Sequence, residues 1–284
     1  MPEKPDDMLG RVCIVTGAST GIGREIARGL ALKRATVIVA ARSVERGQGA
    51  AEEISDDAAN PAVEFMQLDV ASQRSVREFA VAFKAKHTAL HVLVNNAGVW
   101  LQKKQKSAEG IELTWATNVL GYYRVTAELL DLLRASAPSR IVNVASKFAK
   151  GLDLGDVEYA KRKYDGAAAY AQSKQADRML TSAFATRLRD ARVTANSLHP
   201  GVVASEIARG GSGIVGLVAS AYFKVAGMTP ARGAETAVWL ASSRALESDT
   251  GGYYIKKKQH RDRYNADEAA IEQLWAHCES MTAR

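Results

Sequence analysis

Seven short apolar runs alternate along this chain with longer amphipathic stretches, and that alternation narrows its fold more than any other feature. The runs fall at 12–16, 36–40, 63–68, 92–95, 140–145, 193–198 and 253–255. Several are rich in Val and Ile with little polar alternation, as strands covered on both faces should be. Between them, helical spacing of apolar residues predicts helices at 23–33, 44–57, 72–86, 111–134, 167–190 and 231–242. Ser72 is an N-cap candidate for the third of these. A last helix is expected at 266–281, packed by Ile271, Leu274 and Trp275.

Strand and helix repeated in this way, closed by a final strand, predict an α/β fold of the doubly wound (Rossmann) kind. The expectation is a single domain with a mostly parallel seven-stranded sheet, helices on both faces, and ligand bound at the strand C-termini. No Pro/Gly/Ser-rich linker divides the 284 residues. The core is expected over about 10–255, a substrate lid over 202–228 and a helical tail over 256–284. Ile207, Ile214, Leu217, Val218, Tyr222 and Phe223 make that lid apolar, and Gly210, Gly211, Gly213 and Gly216 would let it close.

The formal net charge is +7, but Lys and Arg are spread along the chain, so a nucleic-acid partner is not expected. Lys256, Lys257 and Lys258 with Arg261 and Arg263 form the densest basic cluster, read as a solvated segment or a contact for an anionic surface. Two cysteines, Cys13 and Cys278, provide no disulfide framework. Residues 1–10 are polar with three acids, unlike a signal peptide, and the apolar stretch 214–225 is too short to span a bilayer. A cytoplasmic protein without a transmembrane segment is the expectation.

The first run leads into Gly17-Ala18-Ser19-Thr20-Gly21-Ile22-Gly23 and then a helix. Glycines at such a turn let the backbone approach a pyrophosphate, which sits on the N–H groups and positive end of the helix. The same residues match the G-x-S-x-G of a hydrolase nucleophile elbow, but only one strand precedes Ser19, whereas an elbow emerges from mid-sheet. His87 and His91, four apart, straddle a helix end and a strand start with no cysteine nearby, so no metal site is expected. The second run ends in Ala41-Arg42, where an NAD-selective site offers a carboxylate to the ribose 2′-hydroxyl. Arg42 could instead pair with a 2′-phosphate, which favours NADP(H). Asp69, with Val70 after it, closes the third run and could meet an adenine amino group.

Tyr170 and Lys174 stand at i and i+4 on one predicted helix face. A phenol is a poor base at neutral pH; a neighbouring ammonium and a positively charged nicotinamide both favour the phenolate. A tyrosine so placed can take a proton from an alcohol or give one to a carbonyl oxygen. Ser146, ending the fifth run, could hydrogen-bond the substrate oxygen. Asn96, Ala97 and Gly98 follow the fourth run, where Gly98 would admit backbone close to a cofactor. Asn118, a mediocre helix former inside a helical pattern, could mark a kink and hold a water relaying protons to Lys174.

These residues together resemble the short-chain dehydrogenase/reductase family. The resemblance runs from about Gly10 to Ile255 through Thr16–Gly23 (T-G-x-x-x-G-I-G), Asp69, Asn95–Gly98 (N-N-A-G), Asn118, Ser146, Y-x-x-x-K at Tyr170–Lys174, and Pro200-Gly201. It implies a catalytic tetrad of Asn118, Ser146, Tyr170 and Lys174 and a nicotinamide cofactor, here NADP(H). Its cofactor contacts would come from Gly17, Ser19, Thr20, Gly21, Ile22, Gly23, Arg42, Asp69, Val70, Asn96, Ala97, Gly98, Tyr170, Lys174, Pro200, Gly201 and Val203. It also implies a homo-oligomer, dimer or tetramer. Ala40-Ala41-Arg42, Leu198–Val203 and the Leu274-Trp275 tail are similar to the retinol-dehydrogenase-like branch, whose frequent N-terminal membrane segment has no counterpart in residues 1–10. The strand motif reads Val-Ala-Ser where Val-Ser-Ser is common, leaving one serine for the role. The reading is therefore an NADP(H)-dependent interconversion of an alcohol with an aldehyde or ketone on an apolar small molecule. A nucleotide-binding sensor without turnover is the alternative.

Overall fold

The computed structural model describes residues 7–201 and 228–283. Eight strands form one sheet: β1 (Val12–Thr16), β2 (Thr36–Ala41), β3 (Val63–Gln67), β4 (Val92–Asn95), β5 (Ser139–Val144), β6 (Val193–His199), β7 (Tyr253–Ile255) and β8 (Lys258–His260). Their order is β3-β2-β1-β4-β5-β6-β7-β8, so the winding direction reverses between β1 and β4. Every pairing is parallel except β7 with β8.

Alternation along each strand divides the core in two. Ile14, Ile38, Leu93 and Ile141 face one layer of helices, while Cys13, Val15, Val37, Val39, Val92, Val94, Val142 and Val144 face the other. On the second face lie α1 (Gly21–Ala31) and α2 (Val44–Ala58); α3 (Gln73–Lys86) covers the first. His91, weighed as a metal ligand from its spacing, accepts the Val12 N–H through Nδ1 at 3.0 Å, which is strand-end bonding. His87 stacks on Phe83 with ring centroids 4.8 Å apart.

The structure corrects the sequence expectation in two places. The first is the strand count, eight rather than seven. Lys256 and Lys257 take left-handed backbone angles (φ +50° and +61°) and turn the chain so that Lys258–His260 pairs antiparallel with β7. A strand of Lys, Gln and His carries no apolar signal, yet exposed lysines suit an edge strand because they discourage further pairing. Part of the basic cluster thus forms a hairpin at the sheet edge, where the Lys257 N–H also donates to Thr236 Oγ1 at 3.3 Å.

The second correction is the predicted helix at 111–134, which is broken. It comprises α4 (Leu113–Trp115), a π-helical turn (Ala116–Leu120), α5 (Gly121–Glu128) and α6 (Leu130–Ala135). The π turn carries Asn118, and such turns commonly occur at functional sites.

The remaining α-helices among the described residues are α7 (Gly166–Arg187), α8 (Pro230–Ser242) and α9 (Glu268–Thr282). Phe184 of α7 sits between Tyr123 and Trp275, its ring centroid 6.2 and 5.1 Å from theirs, and so docks α9 onto the core. Arg178 fixes the approach to α9 with a bidentate pair to Asp262 at 2.9 and 2.7 Å. Among the described residues, no helix is long and apolar enough to cross a membrane. The expected lid, except Met228, lies outside the described residues. Replacing Phe184 by Ala should cost about 3–5 kcal/mol in urea unfolding, because the cavity opens where α7, α5 and α9 meet.

Candidate active site

The reversal between β1 and β4 opens a crevice at the strand C-termini, and the glycine-rich turn fills its edge. Thr16 Oγ1 joins the two strand ends: it accepts from the N–H groups of Asn96 and Ala97 at 2.9 and 3.1 Å and lies 3.4 Å from the Val94 carbonyl, to which it donates. The Asn96 side chain returns the contact by donating to Thr16 O at 2.9 Å. Gly17 has φ +66°, and a Cβ there would lie 2.8 Å from the Ala97 backbone; one at Gly23 would lie 2.4 Å from Gly17 O. Neither close approach admits a side chain.

The turn delivers the chain into α1 with its first N–H groups uncapped. Thr20 makes no side-chain cap, and no acid stands in the first turn. By contrast α2, α3, α7, α8 and α9 are capped by Ser43, Ser72, Asp165, Thr229 and Asp267. Unsatisfied donors at a positive helix end favour an anion. Ser19, Thr20, Gly21 and Ile22 are only half-buried, so this end is open to a ligand. A diphosphate group fits both the side-chain-free cradle and the free donors.

Arg42, exposed at the end of β2, makes no ion pair among the described residues, and its carbonyl accepts from Gln67 Nε2 at 3.2 Å. Asp69 turns its carboxylate back onto the Ala71 N–H at 3.0 Å, with Val70 buried beside it. Pro200 and Gly201 follow β6, Gly201 at φ +92°. Val203 lies outside the described residues. Among the described residues no group of His, Cys, Asp and Glu is placed to hold a metal ion.

Three elements converge beyond the crevice. Asp165 caps α7 by accepting from Ala167 and Ala168 N–H, and Gly166 lets that helix end meet the loop after β4, since a Cβ there would strike Leu101 O. Tyr170 stacks on Trp100 of that loop, with centroids 4.9 Å apart and planes at 11°. Phe148, after β5, stacks on the same indole at 6.0 Å. Ser146 is buried at the end of β5, where its Oγ accepts the Phe148 N–H at 3.0 Å.

Lys174 Nζ lies 5.8 Å from the Tyr170 ring centroid and donates to Val144 O at 2.9 Å and Asp177 Oδ2 at 2.7 Å. Burial is the largest influence and disfavours its ammonium, but Asp177, Tyr122 and Tyr170 together outweigh it and lift the lysine above its ordinary range. Asn118 reaches across from the π turn. Its Oδ1 accepts the Val99 N–H at 2.8 Å, and Nδ2 donates to Val99 O at 3.0 Å and Ser173 Oγ at 2.9 Å. Both side-chain amide hydrogens are therefore committed, to Val99 O and Ser173 Oγ. Trp100, Phe148 and Asp177 are site neighbours that sequence reasoning did not single out, and Thr16 entered only as the first residue of the glycine-rich motif. Only Asp177 had a local signal, one turn beyond Lys174 on the same helix face.

Replacing Lys174 by Met leaves Asp177 buried without its partner, and the expected loss in urea unfolding is about 3–5 kcal/mol. Burial raises the Asp177 carboxyl to about 7, with Lys174 opposing, and removing Lys174 raises it further. Below about 7 the folded carboxyl is protonated in both proteins, so the deficit should stay level from about 4 to about 7 and grow as pH rises above about 7, where the wild-type carboxylate ionises beside Lys174 and the variant's does not. A deficit that shrinks over that range would contradict the assignment.

The family model described as short chain dehydrogenase matches residues 11–212. Retinol dehydrogenase 13 of Mus musculus is 37% identical over 273 residues, covering 94% of this chain and 82% of that protein. Retinol dehydrogenase 11 of Mus musculus is 41% identical over 249 residues, covering 86% and 77%. Among solved structures, an uncharacterised protein from Mycobacterium Paratuberculosis superposes with TM-score 0.77 at 28% identity, over 98% of this chain and 95% of that one. The Pseudomonas aeruginosa RhlG/NADP active-site complex superposes with TM-score 0.69 at 28% identity, over 87% and 95%. The chain belongs to the short-chain dehydrogenase family of nicotinamide-dependent oxidoreductases, on its retinol-dehydrogenase-like branch.

Proposed function

We propose that this protein is an NADP(H)-dependent oxidoreductase that interconverts an alcohol with an aldehyde or ketone on an apolar small molecule, with Tyr170 as general acid and base. The observation that carries this reading is that Tyr170 and the buried Lys174 ammonium, held on the carbonyl at the C-terminal end of β5, lie along the same sheet edge from which α1 starts uncapped after β1. The relatives named retinol dehydrogenases and the NADP complex of a structural neighbour agree with it.

In this reading the amides of Gly17, Ser19, Thr20, Gly21, Ile22 and Gly23 hold the diphosphate. Arg42 meets the 2′-phosphate, for which a free guanidinium at the end of β2 is suited. Asp69 and Val70 bound the adenine. Asn96, Ala97 and Gly98, with Pro200, Gly201 and Val203, bound the nicotinamide half. When bound, the nicotinamide supplies or accepts the hydride. Ser146 orients the substrate oxygen by hydrogen bonding. Tyr170 gives its proton to that oxygen in reduction and takes it back in oxidation, while Lys174 stabilises the phenolate left behind. Asn118 holds the Val99 backbone and Ser173, and through them the loop that carries Trp100. The aromatic wall of Trp100 and Phe148 beside Tyr170 favours an apolar substrate. Assembly as a homo-oligomer and a cytoplasmic location belong to the same proposal.

Oxidation of NADPH and NADH with a panel of apolar aldehydes and ketones tests it. Tyr170→Phe keeps the ring and removes the hydroxyl, so kcat should fall by about 10²–10⁴-fold. Arg42→Asp should raise KM for NADPH about 10–100-fold, the scale of a lost charge-assisted bond, and leave NADH less affected. Equal losses with both cofactors would remove the role given to Arg42. Undiminished turnover in Tyr170→Phe would remove the mechanism.

A further inference from the structure

Asp177 brings a second charge into the same buried site. It lies one turn beyond Lys174 on α7, fully buried, and receives the ammonium through Oδ2 at 2.7 Å. Its Oδ1 is buried without a hydrogen-bond partner. The carboxylate therefore serves no cap, turn or strand end, and its side-chain bonding rests on Lys174. An ion pair with so little further support is costly to bury, which calls for a reason at the site itself.

Tyr170, Lys174 and Asp177 occupy positions i, i+4 and i+7 of one helix face, with Lys174 in the middle. An ammonium alone favours a nearby phenolate. An ammonium with a carboxylate close behind it acts as a dipole, whose field on the phenol is weaker than that of the bare charge. The other titratable groups facing the pair are Tyr122 of α5, whose ring centroid is 5.2 Å from Lys174 Nζ, and Cys278 of α9. Burial pushes the Tyr122 phenol and the Cys278 thiol well up, so both stay neutral. Among the described residues, Asp177 is thus the negative charge that balances Lys174.

We propose that Asp177 is a positioning residue acting through Lys174: it draws the ammonium toward the core and sets how much of its charge reaches the Tyr170 hydroxyl. This rests on the Tyr170–Lys174 chemistry given above. By offsetting the ammonium, Asp177 favours the protonated phenol, the form that donates to a carbonyl oxygen. The site is then biased toward working as a reductase over a wider span of pH.

Asp177→Asn removes the charge and keeps the shape. Two readouts follow it: the pH profile of kcat/KM for carbonyl reduction, and the tyrosinate absorbance titration of the cofactor-free protein. Each absorbance curve is taken as the difference from the matching Tyr170→Phe protein. The step belonging to Tyr170 should move down by about one pH unit in Asp177→Asn. In Asp177→Glu, which restores the carboxylate, it should return toward the wild-type position. No movement of that step in Asp177→Asn overturns the proposal, even if wild-type turnover and its loss in Tyr170→Phe stand. Conversely, a shifted absorbance step in a protein without turnover on any substrate supports the Asp177 coupling while removing the proposed enzyme function. If Asp177→Asn does not fold, Asp177→Ser, which also removes the charge, carries the same two readouts: the Tyr170 step should again move down, and no movement overturns the proposal.

Discussion

The Thr16 hydroxyl holds the point at which the sheet reverses, and the candidate site is arranged around that point. One oxygen accepts from two backbone N–H groups beyond β4 and donates to the Val94 carbonyl, which ties the C-terminal ends of β1 and β4 together. Gly17 and Gly23 can then press against Ala97 and each other without side chains between them. The helix that follows starts with unsatisfied donors, whereas α2, α3, α7, α8 and α9 end their N-termini on a side-chain oxygen. Half-exposed donors at the positive end of a helix suit an anion, which is the role proposed for them.

The residues proposed for the chemistry lie along the same sheet edge and are held by buried polar contacts between distant parts of the chain. Asn118 reaches Val99 and Ser173, joining the π turn, the loop after β4 and α7. A parallel buried set, Asn95 to Thr126 and Asn143 and then Asn143 to Thr181, links β4, β5, α5 and α7 underneath. Such networks fix geometry because each amide has few alternative partners in a dry interior. Tyr170 is positioned differently, by stacking on Trp100 rather than by hydrogen bonds. In the proposed reaction its hydroxyl is the group that meets the substrate, while the lysine one turn on is anchored at both Val144 O and Asp177.

What was legible in the sequence follows from these physical causes. Strands such as β1, β4 and β7 could be placed to the residue because buried parallel strands need unbroken apolar runs. Ser72 was recognisable as a cap because its role is local, and its Oγ does accept the Ser75 N–H. The edge strand β8 was missed because it is exposed on both faces and leaves no apolar pattern. The break in the helix at 111–134 was legible only as a kink at Asn118, because the π turn and the division into separate helices around it depend on tertiary contacts such as Asn118 with Val99 and Ser173. The tetrad residues and the glycine turn stood out through motif and spacing. Trp100 and Phe148 did not, since nothing near them in sequence says that they will stack on Tyr170.

A crystal structure of the protein with NADP+ tests the central claim most directly. The account predicts the diphosphate on the amides of the Gly17–Gly23 turn at the start of α1, the 2′-phosphate on Arg42, and the nicotinamide in the crevice between β1 and β4, within reach of Tyr170. Cofactor bound away from that helix end, or with its nicotinamide remote from Tyr170, would contradict it.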